Sequence, residues 1–266
     1  YIKLGDIGMV SINSNYAATF AAKAAKQTTT ELNSAMEKLS TGKRINYARD
    51  DAAGQAISVR LTAEIQGLAM ASGNASDGQA MIDTIEGALM ETQTLLLRMR
   101  ELAVQSSNGT LAAADRASLQ IEAASLEEEI TRIAQTSSWA GQNLLDGSLS
   151  DGITFQAGTK EGAGNLITIS VGEMSVASAT IGYTAAQTIG SFTSAQTAIT
   201  GIDAALSGVS EVRGKLGGIS NRLNSTIANM DQVRVNLSAS KGRIEDADFA
   251  VETGNLAKNQ ILQQAA

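Results

Sequence analysis

The sequence predicts a mainly α fold, an elongated antiparallel helical bundle or coiled-coil rod with a small β-hairpin region. Three observations predict it. A heptad seam runs through Ala205, Val209, Val212, Leu216, Ile219, Leu223, Thr226, Met230, Val233 and Leu237, alternately four and three residues apart. That spacing makes a stripe which an α-helix presents stably only when another helix covers it. A second seam, at Met81, Ile85, Ala88, Thr92, Leu95, Met99 and Leu102, supplies the cover. Finally, none of the 266 residues is a proline, so no helix is forced to break.

Composition narrows the function. Hydrophobic residues make up 43% of the chain and aromatics only 3%, so the apolar side is aliphatic and alanine. Such side chains fill thin helix–helix seams. The net charge of −7 argues against a nucleic-acid partner. Without cysteine there is no disulfide framework, zinc-thiolate site or thiol nucleophile. Without histidine the commonest general base and metal ligand is missing as well. No catalytic, cofactor-binding or metal site is expected, and the chain does not read as an enzyme. No apolar run approaches the roughly 18 residues of a transmembrane segment. The N-terminus lacks the basic and apolar regions of a cleaved secretory signal, so export would need another route.

The elements follow in order. Residues 1–8 fit no later pattern and read as a leader. A helix is expected from Met9 to Ser40, through Ile12, Tyr16, Phe20, Leu32, Met36 and Leu39, with a middle too weakly apolar to be stable alone. Thr41-Gly42 stops it, because glycine accepts the left-handed conformation there. After a connector from Lys43 to Arg49, Asp50 is the expected N-cap of the next helix, with Asp51 in its first turn. Ile57, Leu61, Ile65 and Leu68 share a face of that helix, and Gly73-Asn74 either ends or softens it. The second seam then runs to Ser106, and Asn108-Gly109 turns the chain. Asp115 opens a further helix with its seam at Leu119, Ala123, Leu126, Ile130 and Ile133. Beside it, Glu127-Glu128-Glu129 reads as a solvated face rather than a cation site, because consecutive residues diverge around a helix.

From Ser137 to Ser191 the pattern changes. Ile153–Ala157 and Leu166–Val171 alternate as the two strands of a hairpin with a glycine-rich loop. Gly162-x-Gly164 precedes a strand rather than a helix, so it does not read as a phosphate cradle. After Leu237 the seam fades. Glu245, Asp246 and Asp248 crowd together but lack a histidine or cysteine partner, and they read as polar contacts or helix-start chemistry.

Three stretches carry a resemblance to a known family. Residues 37–57 (EKLSTGKRINYARDDAAGQAI), Leu97–Gln105 (LRMRELAVQ) and Arg243–Gln264 (RIEDADFAVETGNLAKNQILQQ) resemble the signatures of bacterial flagellins, in the family's order. The resemblance covers residues 9–266. It implies an N-terminal filament-core segment at 9–48 and a coiled-coil rod domain at 49–242, with the β-hairpin region at about 140–190. It also implies one continuous helix across Gly73-Asn74, and a C-terminal filament-core segment at 243–266. That last segment reads as incomplete, since flagellins usually continue with more amphipathic helix. Large outer domains look absent.

What the family does follows as an expectation. The chain would be a structural subunit that self-assembles into the flagellar filament for motility, secreted by the flagellar type III route and extracellular. Its terminal segments, with weak seams and no local partner, would be loose in the monomer and fold on assembly. Its partners would be other copies of itself, the export apparatus, an export chaperone and the filament cap. Arg98, Leu102 and Glu122 match positions by which many flagellins engage the flagellin-sensing Toll-like receptor, near contacts between subunits. A hook–filament junction protein is a nearer variant, disfavoured by RELAVQ and ILQQ. The alternative from a different class is a non-polymerising flagellin-fold surface protein that binds an external ligand such as a polysaccharide.

Overall fold

Where α-helix stops and starts along this chain is decided by short polar devices. In the computed structural model, which describes residues 15–176 and 188–265, the first helix, α1 (Tyr16–Thr41), opens on Asn15. The Asn15 side chain accepts the Ala18 N–H at 3.0 Å. The helix ends at Gly42, whose φ of 71° lets its N–H reach back to the Lys38 carbonyl. The leader at 1–8, the Met9–Ile12 start of the expected helix and positions 177–187 of the hairpin region lie outside the described residues.

The second helix corrects the expected cap. It is Asp51, not Asp50, that accepts the Gly54 N–H, at 2.8 Å, and α2 runs Ala52–Ser106 without a break at Gly73-Asn74. Asp50 instead accepts the backbone N–H groups of Asn46 and Tyr47, at 3.1 and 2.9 Å, and so folds the connector. Those two bonds hold its carboxyl below the usual range.

Three more helices follow: α3 (Ala113–Thr136), α4 (Phe192–Glu245) and α5 (Phe249–Ala265). Asp115 sits in the first turn of α3, where its carboxylate accepts the Ala112 N–H at 3.2 Å. Between α3 and α4 the described residues form two small antiparallel hairpins. In the first, β1 (Ser138–Trp139) pairs with β2 (Gln142–Asn143) around Ala140 and Gly141, both at positive φ. In the second, β3 (Ile153–Gln156) pairs with β4 (Leu166–Ile169), Ile153 opposite Ile169. The strand pair is the one the alternation predicts; the first hairpin is too short to leave a periodic signal.

The chain divides into two compact units, one of Tyr1–Ile65 with Val235–Ala266 and one of Gln66–Arg234. In the first, α1 and α5 lie against each other. Lys38 meets Glu252 at 3.2 Å, and Ala247 donates its N–H to the Gly42 carbonyl at 2.9 Å, so the two helices run antiparallel. This corrects the expectation that the terminal segments have no local partner: each partners the other. In the second unit, Gln79, Glu86 and Arg100 of α2 meet Ser220, Arg213 and Asp203 of α4 respectively. Ascending one helix means descending the other, which is an antiparallel pairing.

Candidate subunit-contact surface

The second unit is closed by burial. Along α2, Leu68, Ala71, Ala75, Gly78, Ile82, Ile85, Leu89, Thr92, Leu96, Met99, Ala103 and Ser106 are all buried, in unbroken three-four alternation. The sequence seam shares Ile85, Thr92 and Met99 with this stripe. Its remaining positions are displaced by one residue. Met81 and Leu102 are buried, whereas Ala88 and Leu95 are only half-buried, and Leu89 and Leu96 take the central places. The reason is that α2 faces two helices: Arg98 reaches Glu122 on α3, and Arg100 reaches Asp203 on α4. A helix covered from two sides buries a stripe wider than one heptad line.

On α4, Val209, Leu216, Leu223 and Met230 are buried at every seventh position, after Ile202. Val212, Ile219, Val233 and Leu237 are half-buried. On α3, Ile130 is buried, and Leu119, Leu126 and Ile133 are half-buried beside Ala123 and Ala134, which are buried.

A polar rail borders this stripe. Gln79, Glu86, Gln93 and Arg100 recur every seven residues on α2. Arg213 donates to Glu86 Oε1 at 2.7 and 2.5 Å, and its third nitrogen reaches Gln93. Sequence reasoning passed over this rail; the seven-residue recurrence of long polar side chains beside the seam is the signal that would have found it.

Of the three residues matched to the receptor contact, the structure brings Arg98 and Glu122 together and buries Leu102. Arg98 bonds Glu122 at 2.8 Å and Glu101 at 2.9 Å, and both acids raise its already high pKa, Glu122 foremost. Leu102 is 1% exposed. Its side chain lies in the core of the second unit, where it is also a member of the second seam. The acidic run is likewise consumed in part, because Glu129 binds Arg132 at 2.7 and 2.5 Å. Among the described residues no acidic or other cluster is arranged to hold a metal ion.

The first unit is different. Where α1 and α5 meet, only Leu32 and Ala35 of α1 and Glu252 and Asn259 of α5 are buried. Beside them lies a polar cleft of about 240 Å³ lined by Glu31, Ser34, Lys38, Asn255 and Lys258. Meanwhile Tyr16 is 79% and Phe20 76% exposed on α1, and Phe249, Val251, Ile261 and Leu262 are exposed on α5. The pair buries as many polar as apolar side chains and leaves its large aromatic and aliphatic ones outside, unlike a self-sufficient pair.

The comparisons with known proteins fit this pattern. The family model described as the bacterial flagellin N-terminal helical region matches residues 12–150, and that of the C-terminal helical region matches 199–266. The chain belongs to the bacterial flagellin family. This flagellin is 47% identical over 232 residues to a flagellin of Halalkalibacterium halodurans, covering 87% of this chain and 84% of that one. Flagellin A of Vibrio cholerae is 32% identical across 358 aligned positions, covering 96% of this chain and 94% of the relative. That alignment is longer than the 266 residues here, so the relative carries insertions that this flagellin lacks. The crystal structure of Bacillus cereus flagellin matches with TM-score 0.51 and 30% identity, over 59% of this chain and 88% of that one. As a flagellin, the chain is a structural subunit of an extracellular filament, the bacterial flagellum.

Proposed function

We infer that this subunit joins its filament through the apolar faces of α1 and α5. One observation carries the reading. The two helices that pair in the first unit leave Tyr16, Phe20, Ile261 and Leu262 exposed while enclosing a polar cleft. Covering those side chains with neighbouring copies would remove apolar surface from water at roughly 25 cal/mol per Å². Repeating one such contact without ring closure generates a helical filament. Membership of the flagellin family supports export through the flagellar type III route. An export chaperone for the C-terminal segment and a filament cap complete the proposed partners. Arg98 and Glu122, exposed and paired, are the proposed contact with the flagellin-sensing Toll-like receptor.

Electron microscopy of the purified chain under polymerising conditions tests the reading, beside the variants Tyr16→Asp and Phe20→Asp. Filaments are expected from the wild type and none from either variant, with helical content unchanged by circular dichroism. Filaments of normal length from both variants would sink it.

A further inference from the structure

Glu245 is a carboxylate only 8% exposed, and its surroundings are drawn from distant parts of the first unit. Ser58 of α2 donates its hydroxyl to one carboxylate oxygen. The Lys43 ammonium, from the connector after α1, lies 3.3 Å from the other. Lys241, one turn earlier on α4, lies 3.9 Å from that same oxygen.

The backbone joins in. The Glu245 carbonyl accepts the Arg44 N–H at 2.6 Å, and the Arg44 guanidinium donates to the Ile244 carbonyl at 2.8 Å. Two residues on, Ala247 donates to Gly42. These bonds fall where α1 has just stopped and α5 is about to start. The carboxylate therefore sits at the fork from which the paired helices extend.

Other charges face this fork. Asp246 pairs through its backbone with Lys43, Arg44 also approaches Asp51 at 3.8 Å, and Arg243 donates to Ser240. The side chains of Asp246, Arg44, Asp51 and Arg243 form no ion pair or hydrogen bond with the Glu245 carboxylate, which is held by Ser58, Lys43 and Lys241. Farther along the helices, Glu252 pairs with Lys38.

We propose that Glu245 is an acid-sensitive lock: ionised, it fastens the connector and α2 to the end of α4 and keeps α1 and α5 paired, and protonated it releases them. Protonation leaves Lys43 and Lys241 beside one oxygen with no charge to neutralise them, and the buried bonds lose their charged acceptor. The direction of the titration agrees. Burial works to raise the Glu245 pKa, but the Ser58 hydroxyl and the two lysines outweigh it and hold the group below the usual carboxylate value. A group depressed in the folded state contributes fully above its unfolded pKa, and the contribution is lost as pH falls through the folded value. The lock is therefore closed at neutral pH and opens in acid.

Hydrogen exchange, followed from neutral pH to about pH 3 and expressed as protection factors corrected for intrinsic rates, tests the proposal. In the wild type, protection of the Arg44 and Ala247 amides and of α5 is expected to fall about tenfold or more in acid, before α2 between Met81 and Ala103 opens. Glu245→Gln should show the acid level already at neutral pH and respond little further. Ser58→Ala should lower protection at neutral pH while keeping the acid response, and Glu252→Gln should leave the response at Arg44 and Ala247 intact. Wild-type protection at neutral pH in Glu245→Gln would overturn the proposal. So would loss of the Arg44 and Ala247 response in Glu252→Gln, which would move the lock to Lys38–Glu252.

Discussion

The two units of this chain solve the same problem with opposite materials. Gln66–Arg234 buries an unbroken stripe of Ile, Leu, Met, Ala and Thr on α2 against helices of its own chain, and leaves its long polar side chains to border the seam. The other unit places a glutamate, an asparagine and a buried carboxylate–serine bond inside, and exposes Tyr16 and Phe20. A region that completes its own core needs no neighbour. A region that mixes buried polar groups with exposed large apolar ones leaves surface for other copies to cover, as proposed above. One chain thus carries a pre-folded part beside a part adapted to being covered.

Truncations at the two sites should separate these materials most sharply. Leu89→Ala, at a position with no exposure, is expected to cost about 2–5 kcal/mol in denaturant unfolding. The same change at Leu32, beside the polar cleft, should cost about 1–2 kcal/mol, because water already reaches that seam. Equal costs at both positions would break the contrast. A smaller effect is expected on the rail: Arg213→Ala should lose about 1–2 kcal/mol through its bonds to Glu86 and Gln93, measured by the same unfolding experiment at low salt. No change would show that the stripe alone sets the pairing of α2 and α4. The smallest is Gly42→Ala, about 1 kcal/mol from the left-handed φ of 71°, since nothing crowds the added methyl. It should appear as lower exchange protection of α1 near Lys38, and unchanged protection would mean that Gly42 does not set the helix stop.

Most of the second unit was legible in the sequence because its physics is periodic. A recurrence of apolar residues names the helix, and no competing proline interrupts it. What periodicity could not supply was the phase. Ala88 and Leu95 fit a heptad as well as Leu89 and Leu96 do, and only the presence of two neighbouring helices chooses between them. Asp50 and Asp51 posed the same difficulty at a single position: both are good caps, and the connector engages one so that the other is free to cap. The bond between Ser58 and Glu245 joins residues 187 apart in sequence, and no local signal pairs one polar residue with another over that distance. The pairing of α1 with α5 leaves little signal for a related reason, since only Leu32 and Ala35 of α1 and the polar Glu252 and Asn259 of α5 are buried there, too few for an apolar stripe.

The polar rail gives this flagellin a mechanical property. Torque or drag on a filament tends to shear neighbouring helices along their axes, and a smooth hydrocarbon stripe resists sliding poorly because each apolar notch resembles the next. Sliding α4 by one notch, seven residues or about 10.5 Å at 1.5 Å per residue, carries Arg213 away from Glu86. In one direction Arg213 arrives opposite Gln93 and Asp203 passes beyond the end of α2; in the other, Arg213 arrives opposite Gln79 and Asp203 leaves Arg100 for Gln93, so either way both ion pairs are lost. The charges that border the seam therefore favour one register of α2 against α4 over its seven-residue neighbours.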